Sequence, residues 1–208
     1  LERALPANAV YEGRRFGFDW TYGKVPNWLF NLGYFSNQDL NGDNDGNTLA
    51  GKVVFNPIKT NEDVVHLGIA ASRENRDDNV ARVRARPEAF LTPVRLIDSG
   101  SLAHTDTIDR FGLEGAWVHG PWLVQSEWLN IDANRKTGFP SYSADGFYVS
   151  GSWVLTGENR PYKAGSIGNI KPKNDFGALE IALRYSTLDL NDLPIAGGRE
   201  HDWTFGLN

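Results

Sequence analysis

The chain of 208 residues contains no cysteine and no methionine. Without cysteine it has no disulfide framework and no thiolate site. This absence fits an oxidising compartment, where stray thiols are a liability. Without methionine the sequence has no initiator residue, and we expect no signal peptide at its start. We therefore expect a mature piece or a fragment of a longer protein.

Long apolar runs are also missing, although 40% of the residues are hydrophobic. No window approaches the roughly 18–20 uninterrupted apolar residues that a membrane helix needs, so a helical membrane protein is excluded. A transmembrane β-barrel is not excluded, because its strands alternate apolar and polar residues. The formal net charge of −5 argues against nucleic acid as a partner.

Aromatic residues are abundant, at 12% of the chain, and many of them recur with a period of two. In RRFGFDWTY, Phe16, Phe18 and Trp20 alternate with Gly17 and Asp19, which predicts a strand with one large apolar face. The same kind of alternation occurs in WLFNLGYF, TLAGKVVFN, VVHLGIAAS, RFGLEGAWV, WLVQSEWLN, GFYVSGSWVL, ALEIALRYSTL and HDWTFGLN. With VARVRARPEAF this makes about ten strands, each near the roughly 9–11 residues that cross a bilayer at a tilt. No segment has the pattern of an amphipathic helix.

The predicted connections differ in length, as they do in outer-membrane barrels, where short turns face long loops. The short ones are GKVPN, NPIKTNED and HGP, and the long ones are SNQDLNGDNDGN, RENRDDN, NIDANRKTGFPSYSAD and NDLPIAGGRE. Aromatic residues at strand ends suit interfacial girdles; they are Tyr22, Trp28, Tyr34, Trp122, Trp128 and Trp153. We expect an all-β fold, an antiparallel transmembrane β-barrel, with residues 1–208 forming a single barrel domain that is incomplete at both ends.

A soluble, secreted β-sandwich that binds glycans is the alternative, because its strands alternate in the same way. The direction of four tryptophans distinguishes the two folds: Trp28, Trp122, Trp128 and Trp153. In a membrane barrel they point outward around an apolar belt. In a sandwich they are buried between two sheets.

No motif predicts catalysis or a metal site. The loop from Asp39 to Gly46 resembles part of a calcium loop, but it places Lys52 where an EF-hand has its last ligand, so we expect an exposed acidic loop. The four histidines (66, 104, 119 and 201) have no paired metal spacing. G-x-S-x-G, P-loop and G-x-G-x-x-G motifs are absent. We expect no enzyme and no cofactor, and a Ser–His pair on distant strands, as in a barrel phospholipase, is the remaining enzymatic alternative.

Two basic groups are candidates for function. Arg82, Arg84 and Arg86 follow each other at two-residue spacing, so on an extended chain they lie on one face. On an ordinary strand this is a solvated charged face. In a barrel lumen it is a track for oxyanions, because guanidinium stays charged and binds phosphate in a bidentate manner. The second group is Arg160, Lys163, Lys171 and Lys173, in an exposed loop or at a pore mouth, where it would raise the local anion concentration.

The chain resembles the phosphate-selective porin O/P family of Gram-negative outer membranes. The resemblance covers almost the whole chain, is strongest from about Gly146 onward, and is carried by GSWVLTGENRPYK, NIKPK, ALRYSTLDLND, GGREHDWTFGLN and RVRARPEAF. It implies a 16-stranded homotrimeric barrel with a positively charged pore. This chain would supply about ten of those strands and would lack the early N-terminal and the closing C-terminal ones.

The resemblance also implies roles for individual residues. An arginine ladder leads inward from the extracellular side in this family, and Arg82, Arg84 and Arg86 match it. Arg95 and Arg110 are weaker candidates for the same wall. A lysine cluster towards the periplasmic side is matched by Lys163 and Lys173, with Lys171 as a third candidate. The sequence does not locate the loop with the constriction residues, and one place for it is upstream of Leu1.

The function implied is that of an integral outer-membrane porin for passive diffusion of phosphate or pyrophosphate-like anions. Its partners would be small anions, outer-membrane lipid and two further copies of the chain. A general porin of the same family, without phosphate preference, is a third possibility.

Overall fold

The computed structural model describes residues 1–11, 14–36, 46–89 and 91–208. The acidic loop predicted at Asp39 to Gly46 lies, apart from Gly46, outside the described residues. Within these described ranges there is one helix, α1 (Leu5–Val10). The long strands are β1 (Phe16–Tyr22), β2 (Trp28–Ser36), β3 (Thr48–Lys59), β4 (Asp63–Asn75), β9 (Thr105–His119), β10 (Trp122–Arg135), β11 (Tyr142–Val154), β14 (Glu180–Asp192) and β15 (Ile195–Leu207). Six two-residue strands complete the set: β5 (Val80–Ala81), β6 (Arg84–Ala85), β7 (Ile97–Asp98), β8 (Leu102–Ala103), β12 (Tyr162–Lys163) and β13 (Ser166–Ile167).

The long strands form one antiparallel sheet in the order β1-β2-β3-β4-β9-β10-β11-β14-β15. Each long strand pairs with the next long strand along the chain, so the sheet is a simple meander whose edges are β1 and β15. The short strands form three separate ribbons, β5 with β8, β6 with β7, and β12 with β13. The all-β antiparallel fold and nine of the ten predicted strands are therefore confirmed.

The sheet has two chemically different faces. We call the face on which α1 packs the inner face and the opposite one the outer face. The outer face carries the large side chains that the period-two pattern predicted, and Phe18, at 86% exposed, is the extreme case. Trp28, Trp122, Trp128 and Trp153 are 36–45% exposed on the outer face of this single sheet. The β-sandwich alternative is therefore wrong, because it requires these rings to be buried between two sheets.

The helix α1 was not predicted from the sequence. Six residues are fewer than two helical turns, too few to produce a recognisable 3.6-residue period. Pro6 lies in the first turn, where its missing N–H costs no hydrogen bond. Leu5 and Val10 are buried in the core that α1 forms with the inner face. A Cβ on Gly146 would lie 3.0 Å from the Pro6 Cβ and 2.4 Å from the Thr187 carbonyl oxygen, so this glycine allows the helix to approach the sheet.

The tenth predicted strand, VARVRARPEAF, is not a strand of the sheet. It lies in the connection between β4 and β9, and only Val80–Ala81 and Arg84–Ala85 are extended pairs within ribbons. The physical reason is that neither face of this segment offers large apolar side chains: one has arginines, and the other only small residues. Pro87 also lacks the N–H that a ladder requires. Its small side chains are instead buried on the inner side, Val83 at 2% and Ala85 at 0% exposed.

The lengths of the connections differ from the prediction at both ends of the sheet. The predicted loops NIDANRKTGFPSYSAD and NDLPIAGGRE are largely strand, with links of only residues 136–141 and 193–194. These strand ends are long because their inward side chains, such as Ile131, Ala144 and Leu188, are buried in the core under α1. The long connection 155–179 lies at the same end as the short turns, so long loops are not confined to one end. In the part of the chain that the structure describes, no helix is long and apolar enough to cross a membrane.

Candidate functional site

Two connections fold onto the inner face, one from each end of the sheet. The loop-end segment, residues 76–104, shares a buried core with α1 and with the inner side chains of β9, β10, β11 and β14. The turn-end segment, residues 155–179, packs Tyr162 and Ile167 against Val64, Val118 and Leu123. Both segments and α1 therefore occupy the side of the sheet opposite its aromatic surface.

The predicted arginine row lies on the loop-end segment. Arg82 and Arg84 are exposed and Arg86 is half-buried, while Val83 and Ala85 between them face the core. The expected alternation is thus present, although it is carried by short ribbons.

Arg82 and Arg84 differ in their acidic neighbours. Arg82 donates hydrogen bonds from Nε and Nη2 to the two Asp98 carboxylate oxygens at 2.8 and 2.5 Å. This hydrogen bond holds the pKa of Asp98 below its usual range, with a smaller contribution from Arg84. Among the described residues, no ion pair within 4 Å involves Arg84. Arg84 is therefore the more available of the two guanidinium groups.

Arg95 and Arg110 occupy different environments. Arg95 is half-buried on the loop-end segment. Arg110 points inward from β9, where its Nη1 lies 2.9 Å from Glu74 Oε2 and its Nε donates to the Val10 carbonyl oxygen at 2.9 Å. Arg110 thus contacts both β4, through Glu74, and α1, through Val10.

The three predicted lysines lie on the turn-end segment, at the opposite end of the sheet from the arginine row. Lys163, Lys171 and Lys173 are all exposed. The Lys173 backbone N–H donates to Glu158 Oε1 at 3.2 Å. A hydrogen bond from the Thr156 hydroxyl, and then the Lys173 contacts, lower the pKa of Glu158. The lysines therefore form a second basic group, at the opposite end of the strands from the arginine row.

A group around Glu74 was not found from the sequence. The Glu74 side chain is fully buried, and its carboxylate accepts hydrogen bonds from Arg15 Nη2 at 2.7 Å and Arg76 Nη1 at 2.8 Å, with Arg110 as the third cation. Arg15 precedes β1, Arg76 begins the loop-end segment and Arg110 lies on β9. Arg15 and Glu74 are 59 residues apart, so no local spacing could have indicated this cluster.

A second group that the sequence did not indicate surrounds Glu88. Its carboxylate accepts hydrogen bonds from Arg184 Nε at 2.8 Å, Ser186 Oγ at 2.5 Å and the Leu5 backbone N–H at 2.9 Å. The Thr204 hydroxyl donates to it as well. Glu88 therefore connects the loop-end segment to α1 and to two strands of the wall.

His66, for which the sequence shows no paired metal spacing, is a buried member of a hydrogen-bonded network. Its Nε2 lies 2.7 Å from Glu114 Oε1 and its Nδ1 lies 2.7 Å from the Tyr162 hydroxyl. Lys52 Nζ is 2.6 Å from the same Glu114 oxygen. The network joins the turn-end segment to the wall, and over the described residues no group of three or more His, Asp or Glu side chains could hold a metal ion.

A cleft of about 550 Å³ lies on the inner face. Its basic lining residues are Arg3, Arg15, Lys52 and Arg110, and its acidic ones are Glu114 and Glu127. Along the strands, the cleft lies between the ends that carry the arginine row and the lysines.

Nine of the 21 lysine and arginine residues lie on the loop-end and turn-end segments. Inward-facing positions of the described strands carry both carboxylates and basic groups; the carboxylates include Asp19, Glu74, Glu114, Glu127, Glu180, Glu200 and Asp202, and the basic groups include Lys52, Lys59, Arg110 and Arg184. Several of these carboxylates are neutralised by cations, as Glu180 is by Arg160 of the turn-end segment. The wall thus supplies acidic contacts that hold basic segments on the inner side.

Comparison with known proteins gives consistent matches. The family model for phosphate-selective porin O and P matches residues 1–208. An uncharacterised protein of Caulobacter vibrioides is 29% identical over 231 aligned residues, which cover 100% of this chain and 45% of that protein. Porin O of Pseudomonas aeruginosa is 28% identical over 161 residues, 67% of this chain and 36% of that protein. The chain spans less than half the length of either relative. By the match over its whole length, the chain belongs to the phosphate-selective porin O and P family.

Proposed function

We propose that the protein is an outer-membrane porin through which phosphate-like anions diffuse passively, and that it acts as a channel and not as an enzyme. The observation that carries this proposal is the position of Arg84, an exposed guanidinium on a segment packed against the inner face. Family membership and the relative named Porin O support the same function.

The proposal places the outer face in lipid. Eight of the nine long strands have 9–15 residues, which is enough to cross a bilayer at a tilt, since roughly 9–11 are needed; β1 has seven. The outward aromatic side chains would form the lipid-facing belt and its girdles. Residues 1–208 would form part of one barrel domain, whose remaining strands would come from the rest of the protein and pair with β1 and β15. Assembly into a homotrimer of 16-stranded barrels stays a prediction from the family resemblance.

The proposed pathway follows the inner side of the sheet from one end to the other. An anion would first meet Arg82, Arg84 and Arg86, with Arg95 beside them. It would then pass the cleft, which Arg110 lines, and leave past Lys163, Lys171 and Lys173. Guanidinium groups replace part of the hydration of an oxyanion by charge-assisted hydrogen bonds. Several sites of moderate strength in sequence let an ion move on, whereas one strong site would retain it.

The test is ion selectivity of the full-length protein in a planar bilayer. We expect Arg84→Glu to lower the ratio of anion to cation permeability, measured as the reversal potential in a chloride gradient. Lys24→Glu is the matched control, since Lys24 is an exposed cation in the short link between β1 and β2. An unchanged reversal potential in Arg84→Glu would assign the row the role of a solvated charged surface.

A further inference from the structure

The arginine row is fixed to the wall by a carboxylate on each side of it in the sequence. Before the row, Arg76 donates to Glu74, and both side chains are nearly inaccessible to solvent, at 4% and 0% exposed. After the row, Glu88 forms an ion pair with Arg184; the Glu88 side chain is 3% exposed and the Arg184 side chain 6%. The row therefore lies between two buried ion pairs.

The same two carboxylates also fix α1. The Leu5 N–H, at the start of the helix, donates to Glu88 at 2.9 Å. The Val10 carbonyl oxygen, at its end, accepts from Arg110, which is paired with Glu74. Glu74 and Glu88 thus connect three parts of the structure: the wall, α1 and the loop-end segment.

We propose that Glu74 and Glu88 are positioning residues that set the location of the arginine row and of α1 within the pore, and through them the affinity for phosphate. This inference rests on the proposed function. Neither carboxylate is expected to touch the anion, because each is buried and already accepts hydrogen bonds from cationic side chains. They would act on the ion through the arginines they hold in place.

The alternative is that Glu74 and Glu88 only stabilise the fold. The geometry of their contacts distinguishes this role from a positioning role. Buried ion pairs are weak evidence for stability by themselves, but specifying a unique arrangement is their best-attested use. Glu88 makes contacts in several directions at once, to Arg184, Ser186, Thr204 and Leu5. A side chain shorter by one methylene cannot satisfy all of them, even if it keeps its charge.

The experiment compares Glu88→Gln with Glu88→Asp in the full-length protein. The readouts are the inorganic phosphate concentration that half-blocks chloride conductance, and the distribution of single-channel step sizes. If position matters, both variants raise the half-blocking concentration, by about two- to thirtyfold, and both broaden the step distribution. If only the charge matters, Glu88→Asp behaves as the wild type, and the proposal is overturned.

Milder variants keep the proposal testable if neither Glu88 variant folds. Ser186→Ala and Thr204→Val each remove one hydrogen bond to Glu88, and we expect each to shift phosphate block in the same direction by less. Wild-type block and step sizes in both would overturn the proposal.

The wild-type reversal potential separates the two levels of inference. A cation-selective wild type contradicts the proposed function itself. An anion-selective wild type with unaffected variants contradicts only the positioning role.

Discussion

The contact between Arg82 and Asp98 offers a quantitative test of the arginine row. Asp98 accepts two hydrogen bonds from Arg82 and so neutralises one of the three arginines of the row. It also lies opposite Arg84 in the β6–β7 ribbon. Asp98→Asn removes this negative charge with little change in shape. We therefore expect the variant to bind anions more tightly than the wild type.

The size of the effect follows from distance and salt. Side chains directly opposite each other in an antiparallel pair have Cβ atoms about 5 Å apart, so an anion held by Arg84 would lie roughly 7 Å from the Asp98 carboxylate. Two unit charges at about 7 Å in water interact by about 0.6 kcal/mol. Screening reduces this to roughly 0.5 kcal/mol at about 0.01 M salt and roughly 0.25 kcal/mol at about 0.15 M.

These energies predict that Asp98→Asn lowers the half-blocking phosphate concentration by about twofold at low salt and about 1.5-fold at physiological salt, per unit charge on the anion. The release of Arg82 adds to this effect. The assay is phosphate block of chloride conductance at the two salt concentrations.

Glu62→Gln is the matched control, because it removes one exposed carboxylate from the short link between β3 and β4. Equal shifts in Asp98→Asn and Glu62→Gln, or weaker block in Asp98→Asn, would refute the reasoning.

Two further predictions concern pH and packing. Arg82 lowers the pKa of Asp98, so the ion pair is fully formed above the ordinary carboxyl range and is lost as pH falls through the lowered value. The difference in chloride selectivity between wild type and Asp98→Asn should therefore persist at about pH 4, near the ordinary carboxyl value, and disappear only at lower pH. A difference that is already halved at about pH 4 would contradict the assignment. Leu188 is fully buried under α1, so Leu188→Ala should cost about 2–5 kcal/mol of unfolding free energy. Leu183→Ala, on the outer face, leaves no internal cavity and should cost less; unfolding by denaturant in detergent micelles measures both, and equal losses would contradict the assignment of the two faces.

The strands could be predicted because their signal is local. Phe16, Phe18 and Trp20 alternate with small or polar residues over a few positions, and an outward apolar face follows directly from that period. The same pattern gave the direction of the tryptophans, which the structure confirms. Family membership was likewise predicted from short motifs and is confirmed by the match over residues 1–208.

The folding of the loop-end and turn-end segments onto the inner face could not be predicted, because their interactions are not local. Arg82, Val83 and Arg84 would alternate in the same way in a strand of the large sheet and in a short ribbon. Only the lack of large apolar side chains in this segment distinguishes the two structures. Glu88 follows the arginine row by only two residues, whereas its partners Arg184 and Thr204 are 96 and 116 residues away. Such pairs depend on how β14 and β15 are placed by the sheet.

The distribution of charge is compatible with the proposed anion pathway, although the chain as a whole is acidic. The formal net charge is −5, and the inner wall carries many carboxylates. Those around Arg15, Arg76, Arg160 and Arg184 are used to hold other parts of the structure. Arg84 lies on the loop-end segment, and the exposed Lys163, Lys171 and Lys173 lie on the turn-end segment. The net charge of the chain therefore says little about the charge that an ion would meet on the proposed pathway.

The reversal potential of the full-length wild-type protein in a planar bilayer, under a gradient of potassium chloride, tests the central claim most directly. We predict an anion-selective potential, together with a chloride conductance that falls when a low concentration of phosphate is added. An anion-selective current that phosphate does not block would remove the phosphate preference alone. A cation-selective potential would contradict the account.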